Sequence, residues 1–425
     1  MAAGLIGSMA RTIGDAGLPT LKRAAGAITR WVPIPQPVLL VGPGSSARLG
    51  QSIADFGHRR LLVVTDRMIV KLGLAKPLLA ALKAARTDHV VFDAVTADAP
   101  IPVVEAGIAR FKAERCDAIV AIGGGSVIDA AKVIGLAAAN KKKPKDLAGY
   151  FRGLSGPVPI YAVPTTAGTG SEVTVAAVIS DPKAGRKLVV ADTRIVPDMA
   201  ALDPQLMTGL PREVTAATGM DALTHAVEAY IGDWATPYTD RMARAATAMI
   251  WHYLPRAFDQ GSDLLARERM ALASTYAGLA FTRANVGNVH AMAHQLGGRY
   301  HTPHGLANAM LLPHVLRFSA HPARKRLAQL ARTVGLKGDG DRSLALAFCD
   351  AVQALNDRLG IPRHLEALRE DDLPALADAA CDEADFNYPV PRRMSVQDGQ
   401  AMLRELLPPA RKAAAKPRRK RPAAR

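Results

Sequence analysis

The chain has 425 residues, 49% of them hydrophobic and 22% charged, with a formal net charge of +16. That length supports two domains with separate cores, and without a run of about 18 uncharged apolar residues nothing in it is suited to span a membrane. Cys116, Cys349 and Cys381 are scattered with no ligand spacing, which speaks against a disulfide framework or a cysteine metal cluster and for a soluble protein in the reducing cytoplasm.

Residues 1–35 form an N-terminal arm. Its first thirty residues hold four basic side chains and one acid, which fits a short helical arm packed on the body as well as a weak organellar transit peptide. From residue 36 to about 208 apolar runs alternate with helix-period segments. "RLLVVTD" (60–66), "HVVFDAV" (89–95) and "DAIVAIGGGS" (117–126) read as strands, while "LAKPLLAALKAA" (74–85) and "PVVEAGIARFKAE" (102–114) read as helices. Strand and helix in strict alternation predict a parallel sheet covered on both faces, an α/β dinucleotide-binding domain.

Within it, Gly123, Gly124 and Gly125 separate a strand from a helix whose first turn carries Ser126. Glycine lets a phosphate approach the backbone, and the helix N-terminus offers free N–H groups, so pyrophosphate suits this turn; a tight turn with a Ser cap has the same spelling. Asp66 ends the first of these strands, where a carboxylate bonds an adenosine ribose and repels a 2′-phosphate, which favours NAD over NADP. "PTTAGTGSE" (164–172) adds a second small-residue loop, in which Thr165, Thr166 and Thr169 are candidate donors to phosphate or nicotinamide.

From 209 to 408 nearly every segment has helical period, predicting an all-helical second domain. "GMDALTHAVEAY" (219–230) places Asp221 and His225 four residues apart, on one helix face. "NVHAMAHQLGGRYHTPHGLANAMLLPHV" (288–315) then concentrates five of the eleven histidines. His290 and His294 share a helix face; beyond a break at Gly297 and Gly298, His304 sits on a turn between Pro303 and Gly305, while His301 and His314 read as structural. Imidazoles joined to a carboxylate suit Fe(II), Zn, Co, Ni or Mn, and donor type alone does not choose. Residues 409–425 are a basic tail; 411–425 hold eight Lys or Arg and no acid. The tail reads as a solvated appendage, and nucleic acid is not the expected partner.

With "GGGSVIDAAK", "PTTAGTGSEVT", "ATGMDALTHAVEAY" and the histidine-rich segment in this order and spacing, residues 36–405 resemble the iron-containing, or group III, alcohol dehydrogenases. The resemblance implies a dehydroquinate synthase-like architecture, with an α/β N-terminal domain, an all-α metal-binding domain and the active site between them. It implies Asp221, His225, His290 and His304 as metal ligands and places His294 beside the metal, near nicotinamide and substrate. Cofactor contacts would come from Asp66, Asp98, Gly124, Gly125, Ser126, Asp129, Thr165, Thr166, Thr169, Thr174 and Lys187, and Phe281 would face the substrate. Ala176 and Asp98 stand where relatives carry Asn, and "NYPVPRR" (387–393) matches the family's C-terminal pattern only loosely.

The expected activity is hydride transfer between a small alcohol and NAD, with a divalent metal, Fe2+ first and Zn2+ or another ion next, acting as Lewis acid. His294 is the candidate proton relay, against a purely orienting role. A homodimer or larger homo-oligomer is expected. Alternatives are an NAD-binding, metal-dependent lyase of the dehydroquinate synthase type, disfavoured because Asp221 stands where those enzymes use glutamate, and a hydroxyacid-oxoacid oxidoreductase of the same family.

Overall fold

The fold is that of a computed structural model describing residues 32–409. Nearly all of the expected N-terminal arm and of the basic tail lies outside the described residues. In chain order the first half contains β1 (Val38–Val41), α1 (Ser45–Ala54), β2 (Leu61–Val64), α2 (Arg67–Lys71), α3 (Lys76–Ala84), β3 (His89–Phe92), α4 (Ile101–Ala113), β4 (Ala118–Gly123) and α5 (Gly125–Asn140). It continues with β5 (Gly149–Tyr150), β6 (Ile160–Pro164), β7 (Ala176–Asp181), β8 (Arg186–Ala191) and β9 (Met199–Leu202). Six strands form a parallel sheet in the order β1-β9-β6-β4-β2-β3.

The sheet is parallel because both of its faces are apolar. Side chains alternate along a strand, so Leu61 and Val63 of β2 join Ala118, Val120 and Ile122 of β4 on one face, packed against Leu49 and Ile53 of α1 and Leu78 and Leu82 of α3. Leu62, Val64, Ile119 and Ala121 point the other way, onto Val104 and Phe111 of α4 and Ile128 and Ile134 of α5. Each of the Leu, Ile, Val and Phe side chains among them contributes roughly 1.5–3 kcal/mol by leaving water. A second sheet pairs β8 parallel with β5 and antiparallel with β7; "AAVISD" (176–181) has an apolar strand pattern, whereas its partner "RKLVVA" (186–191) opens on two cations that obscure one.

Beyond β9 the chain is helical: α6 (Arg212–Ile231), α7 (Pro237–Asp259), α8 (Leu264–Ala284), α9 (Asn288–Tyr300), α10 (His304–Ser319), α11 (Arg324–Thr333), α12 (Gly340–Arg358), α13 (Leu373–Asn387) and α14 (Val396–Arg404). Among the described residues no helix is long and apolar enough to cross a membrane. Helix α6 is the axis of this half; every residue from Gly219 to Ile231 is buried. Its small residues allow close neighbours, and a Cβ on Gly219 would stand 2.3 Å from Leu254 of α7.

Two details of the histidine segment differ from the sequence expectation. Helix α9 runs straight through Gly297 and Gly298 and stops only at His301, whose φ of 55° is left-handed. His304 is then the first residue of α10, with Pro303 as its N-cap, rather than part of a free turn; proline immediately before a helix cannot extend the preceding one.

Candidate metal and cofactor site

Helices α6, α9 and α10 bring Asp221, His225, His290 and His304 together, one donor atom from each lying within 4.8 Å of every other. The i, i+4 spacing puts Asp221 and His225 on one face of α6, and Gly305 lets α10 approach. A Cβ on Gly305 would stand 2.5 Å from the Ala217 carbonyl and 3.2 Å from the Asp221 Cβ. The first three donors are buried and His304 is partly open to the cleft.

Electrostatics prepares these groups as ligands. Burial holds the His290 and His304 imidazoles well below their usual range, so they are neutral with lone pairs available. Burial opposes the charge on Asp221, but His225, His304 and His290 and an N–H from Asn308 outweigh it, and its carboxyl lies below the usual range. His290 Nδ1 is 2.6 Å from Glu228 Oε2, and Glu228 also accepts the backbone N–H groups of Gly287 and Val289 at 2.8 and 2.6 Å. That contact fixes the proton on Nδ1 and turns Nε2 inward.

The donors fit a divalent cation. Three imidazoles and one carboxylate with no sulfur suit a borderline first-row ion. The Nδ1 of His225 is buried and has no hydrogen-bond partner among the described residues, an arrangement that is costly without a further ligand. Phe281 stacks on His225 with centroids 4.3 Å apart and rings 20° from parallel, so the expected substrate-facing aromatic forms one wall of the donor cluster.

His294 lies beside the cluster, its ring centroid 6.0 Å from that of His290 and 5.3 Å from that of His304. Its Nδ1 meets Glu383 Oε1 at 2.6 Å, and the same carboxylate accepts the Tyr388 hydroxyl at 2.6 Å and the Gln295 amide at 2.9 Å.

The expected cofactor residues fall into two groups. Gly124 is the N-cap of α5. A Cβ on Gly125 would stand 2.7 Å from Thr169 Cγ2, and one on Gly124 3.5 Å from Thr166 Oγ1, so the glycine turn and the threonine loop form one surface. Thr165 joins it through its N–H to the Gly123 carbonyl at 3.0 Å. Ser126 Oγ accepts the Asp98 N–H at 3.2 Å, and Asp98 in turn binds Lys187 at 2.8 Å. Asp66 caps α2 with Oδ1 on the Ile69 N–H at 2.9 Å. The second group faces inward: Asp129 accepts the Ser171 hydroxyl at 2.5 Å and the Val178 N–H at 2.9 Å, while Thr174 Oγ1 and O accept from the buried Lys132 ammonium at 3.0 and 2.8 Å.

The threonine loop also touches the helical half, including the helix that carries Asp221 and His225. A Cβ on Gly168 would stand 2.9 Å from the Thr218 Cβ of α6, and one on Gly170 2.8 Å from the Ser274 carbonyl of α8. The cofactor surface and the donor cluster therefore flank one cleft. Glu228, Glu383, Asn308 and Lys132 were missed by sequence reasoning. Glu228 at His225+3 and Asn308 at His304+4 carried a detectable signal, since both spacings share a helix face; Glu383, on a distant helix, carried none.

A parallel-sheet dinucleotide domain facing a helical domain that converges one carboxylate and three imidazoles defines a class, the cleft enzymes of dehydroquinate synthase-like architecture. The family "iron-containing alcohol dehydrogenase" matches residues 36–204, and "Fe-containing alcohol dehydrogenase family, C-terminal" matches 215–407. A 1,3-propanediol dehydrogenase of Citrobacter freundii is 44% identical over 346 residues, 80% of this chain and 89% of its own length. The NAD-dependent methanol dehydrogenase of Bacillus methanolicus is 38% identical over 375 residues, 87% of this chain and 98% of its own. A solved 1,3-propanediol oxidoreductase superposes with a TM-score of 0.85 at 39% identity, covering 88% of this chain and 100% of the other. The chain belongs to the iron-containing alcohol dehydrogenase family and is an NAD- and metal-dependent oxidoreductase of alcohols and aldehydes.

Proposed function

We propose that the chain interconverts a small primary alcohol or diol and its aldehyde, with Fe2+ held by Asp221, His225, His290 and His304. The observation that carries this reading is the convergence of those four donors within 4.8 Å beside the loop that touches the glycine turn. When bound, the ion supplies Lewis acidity toward the substrate oxygen and the nicotinamide supplies a hydride acceptor. The protein's own part is placement. Gly124, Gly125, Ser126, Thr165, Thr166 and Thr169 take the pyrophosphate and the nicotinamide end, and Asp66 retains Oδ2 for the adenosine ribose. Asp98 and Lys187 bracket the same cleft, while Asp129 and Thr174 act from behind by holding the threonine loop.

His294 moves the alcohol proton. With Nδ1 engaged by Glu383, its Nε2 is left for the cleft to take the proton from the substrate hydroxyl, and the Glu383 carboxylate, held by the Tyr388 hydroxyl, balances the imidazolium until Nε2 releases the proton to solvent. Phe281 gives the substrate carbon chain an apolar wall against which water is excluded. Protein purified without oxygen or chelators is expected to carry iron and to form NADH from a panel of short alcohols. Asp221→Ala should lower both the ion content and the rate, the rate by at least about 10²-fold. Ion content without NADH formation from any alcohol or diol would point instead to the lyase reading.

A further inference from the structure

Asn308 is fully buried one helical turn beyond His304, and its carboxamide nitrogen sits among three of the four candidate donors. Nδ2 lies 2.7 Å from Asp221 Oδ1, 3.2 Å from His290 Nε2 and 3.2 Å from His304 Nε2. Its other end is spent for this: Asn308 Oδ1 is buried with no hydrogen-bond partner among the described residues. The amide is turned this way because an oxygen in the place of Nδ2 would face a carboxylate oxygen at 2.7 Å.

We infer that Asn308 is a positioning residue for the metal ion, an inference that rests on the metal reading above. Asp221 Oδ1 and His304 Nε2 are 3.6 Å apart, and three electron-rich atoms held so close repel one another. The amide has two N–H donors, one on Asp221 Oδ1 and the other shared between the two longer contacts to His290 Nε2 and His304 Nε2, and with these it screens that repulsion until an ion does so. An imidazole nitrogen has one lone pair, so an ion bound at Nε2 takes the place of the two histidine contacts, while the bond to Asp221 Oδ1, an oxygen with a second lone pair, stays and holds the carboxylate in place. The site is thereby assembled before the ion arrives. Asp221 is kept from turning a lone pair elsewhere, and groups that hold ligands in this way typically govern affinity by about 10–100-fold.

The experiment titrates Zn2+ into the full chain, stripped of metal, against a chromophoric chelator, comparing wild type with Asn308→Leu, Asn308→Ser and Asp221→Ala. Leucine keeps the volume and removes both donors; serine keeps a single hydroxyl. Zn2+ affinity is expected to fall at least about tenfold in Asn308→Leu and by less in Asn308→Ser, with NAD affinity and the melting temperature in chelator close to wild type. An Asn308→Leu chain that binds Zn2+ as tightly as wild type, while Asp221→Ala does not, overturns the assignment of Asn308 alone. A loss of affinity that follows the melting temperature across both Asn308 variants also overturns it, since the role is then structural. A wild-type chain that takes up no Zn2+ overturns the metal reading and this inference together.

Discussion

His294 shows how much chemistry depends on a single partner. An imidazole two bonds from a backbone turns freely unless something holds it, and Glu383 accepts the Nδ1–H with a carboxylate that the Tyr388 hydroxyl and the Gln295 amide orient. Replacing His294 with Gln should lower kcat by roughly 10²-fold or more, the usual worth of a positioned acid–base group, while the ion content by metal analysis stays at the wild-type level. Glu383→Gln should give a smaller loss in the same direction, because Gln presents either a donor or an acceptor to Nδ1 and no longer fixes the tautomer. An ion content that fell with kcat in either variant would show that these residues serve the ligands instead of the proton.

At the scale of elements, the site depends on how closely α10 comes to α6. Gly305 is the point of contact, and a methyl there would collide at 2.5 Å with the Ala217 carbonyl, which as helix backbone has no room to yield. Gly305→Ala should therefore push the first turn of α10 outward and carry His304 away from Asp221. The expected outcome is weaker ion binding with little change in NAD affinity, measured by chelator competition and by cofactor fluorescence quenching. The same contact marks how far sequence alone reaches. That a parallel sheet forms was legible because β2 and β4 are apolar on both faces, though its strands β1 and β9 were not read, and the pair Asp221 and His225 was legible because helical period is local. That α9 would run through Gly297 and Gly298 was not legible, since packing against α13 and α10 overrides the weak helix propensity of glycine. Nor was Glu383 legible as the partner of His294, because nothing in a sequence tells which carboxylate 89 residues away will fold back.

Across the whole molecule, the two halves are joined by a buried polar seam that serves no substrate directly. Lys132 on α5 is fully buried and donates to Thr174 Oγ1, the Thr174 carbonyl and the Ala176 carbonyl. Its charge also acts on Asp129 and Glu172, and Glu172 accepts the Thr275 hydroxyl of α8 at 2.7 Å, so the threonine loop is held from both domains at once. Burial raises the carboxyls of Asp129 and Glu172 and Lys132 counters it, while burial pushes the Lys132 ammonium down to about 8 against those same carboxylates. Lys132→Met removes the cation and leaves the buried Glu172 and the half-buried Asp129 carboxylates uncompensated, which should destabilise the fold by about 3 kcal/mol near neutral pH, measured by denaturant unfolding. The sign of the pH dependence follows from the lysine. Its folded value of about 8 lies below the ordinary 10.5, so between them the unfolded chain binds more protons and wild-type stability gains from this group as pH rises. That gain is absent below the window and complete above it. The difference between wild type and Lys132→Met measured across pH 8 to 10.5 cancels the titrating groups that do not touch the seam; a difference that stays flat there would mean that Lys132 keeps an ordinary proton affinity inside the seam, and that its backbone carbonyl partners stabilise the charge as fully as water does.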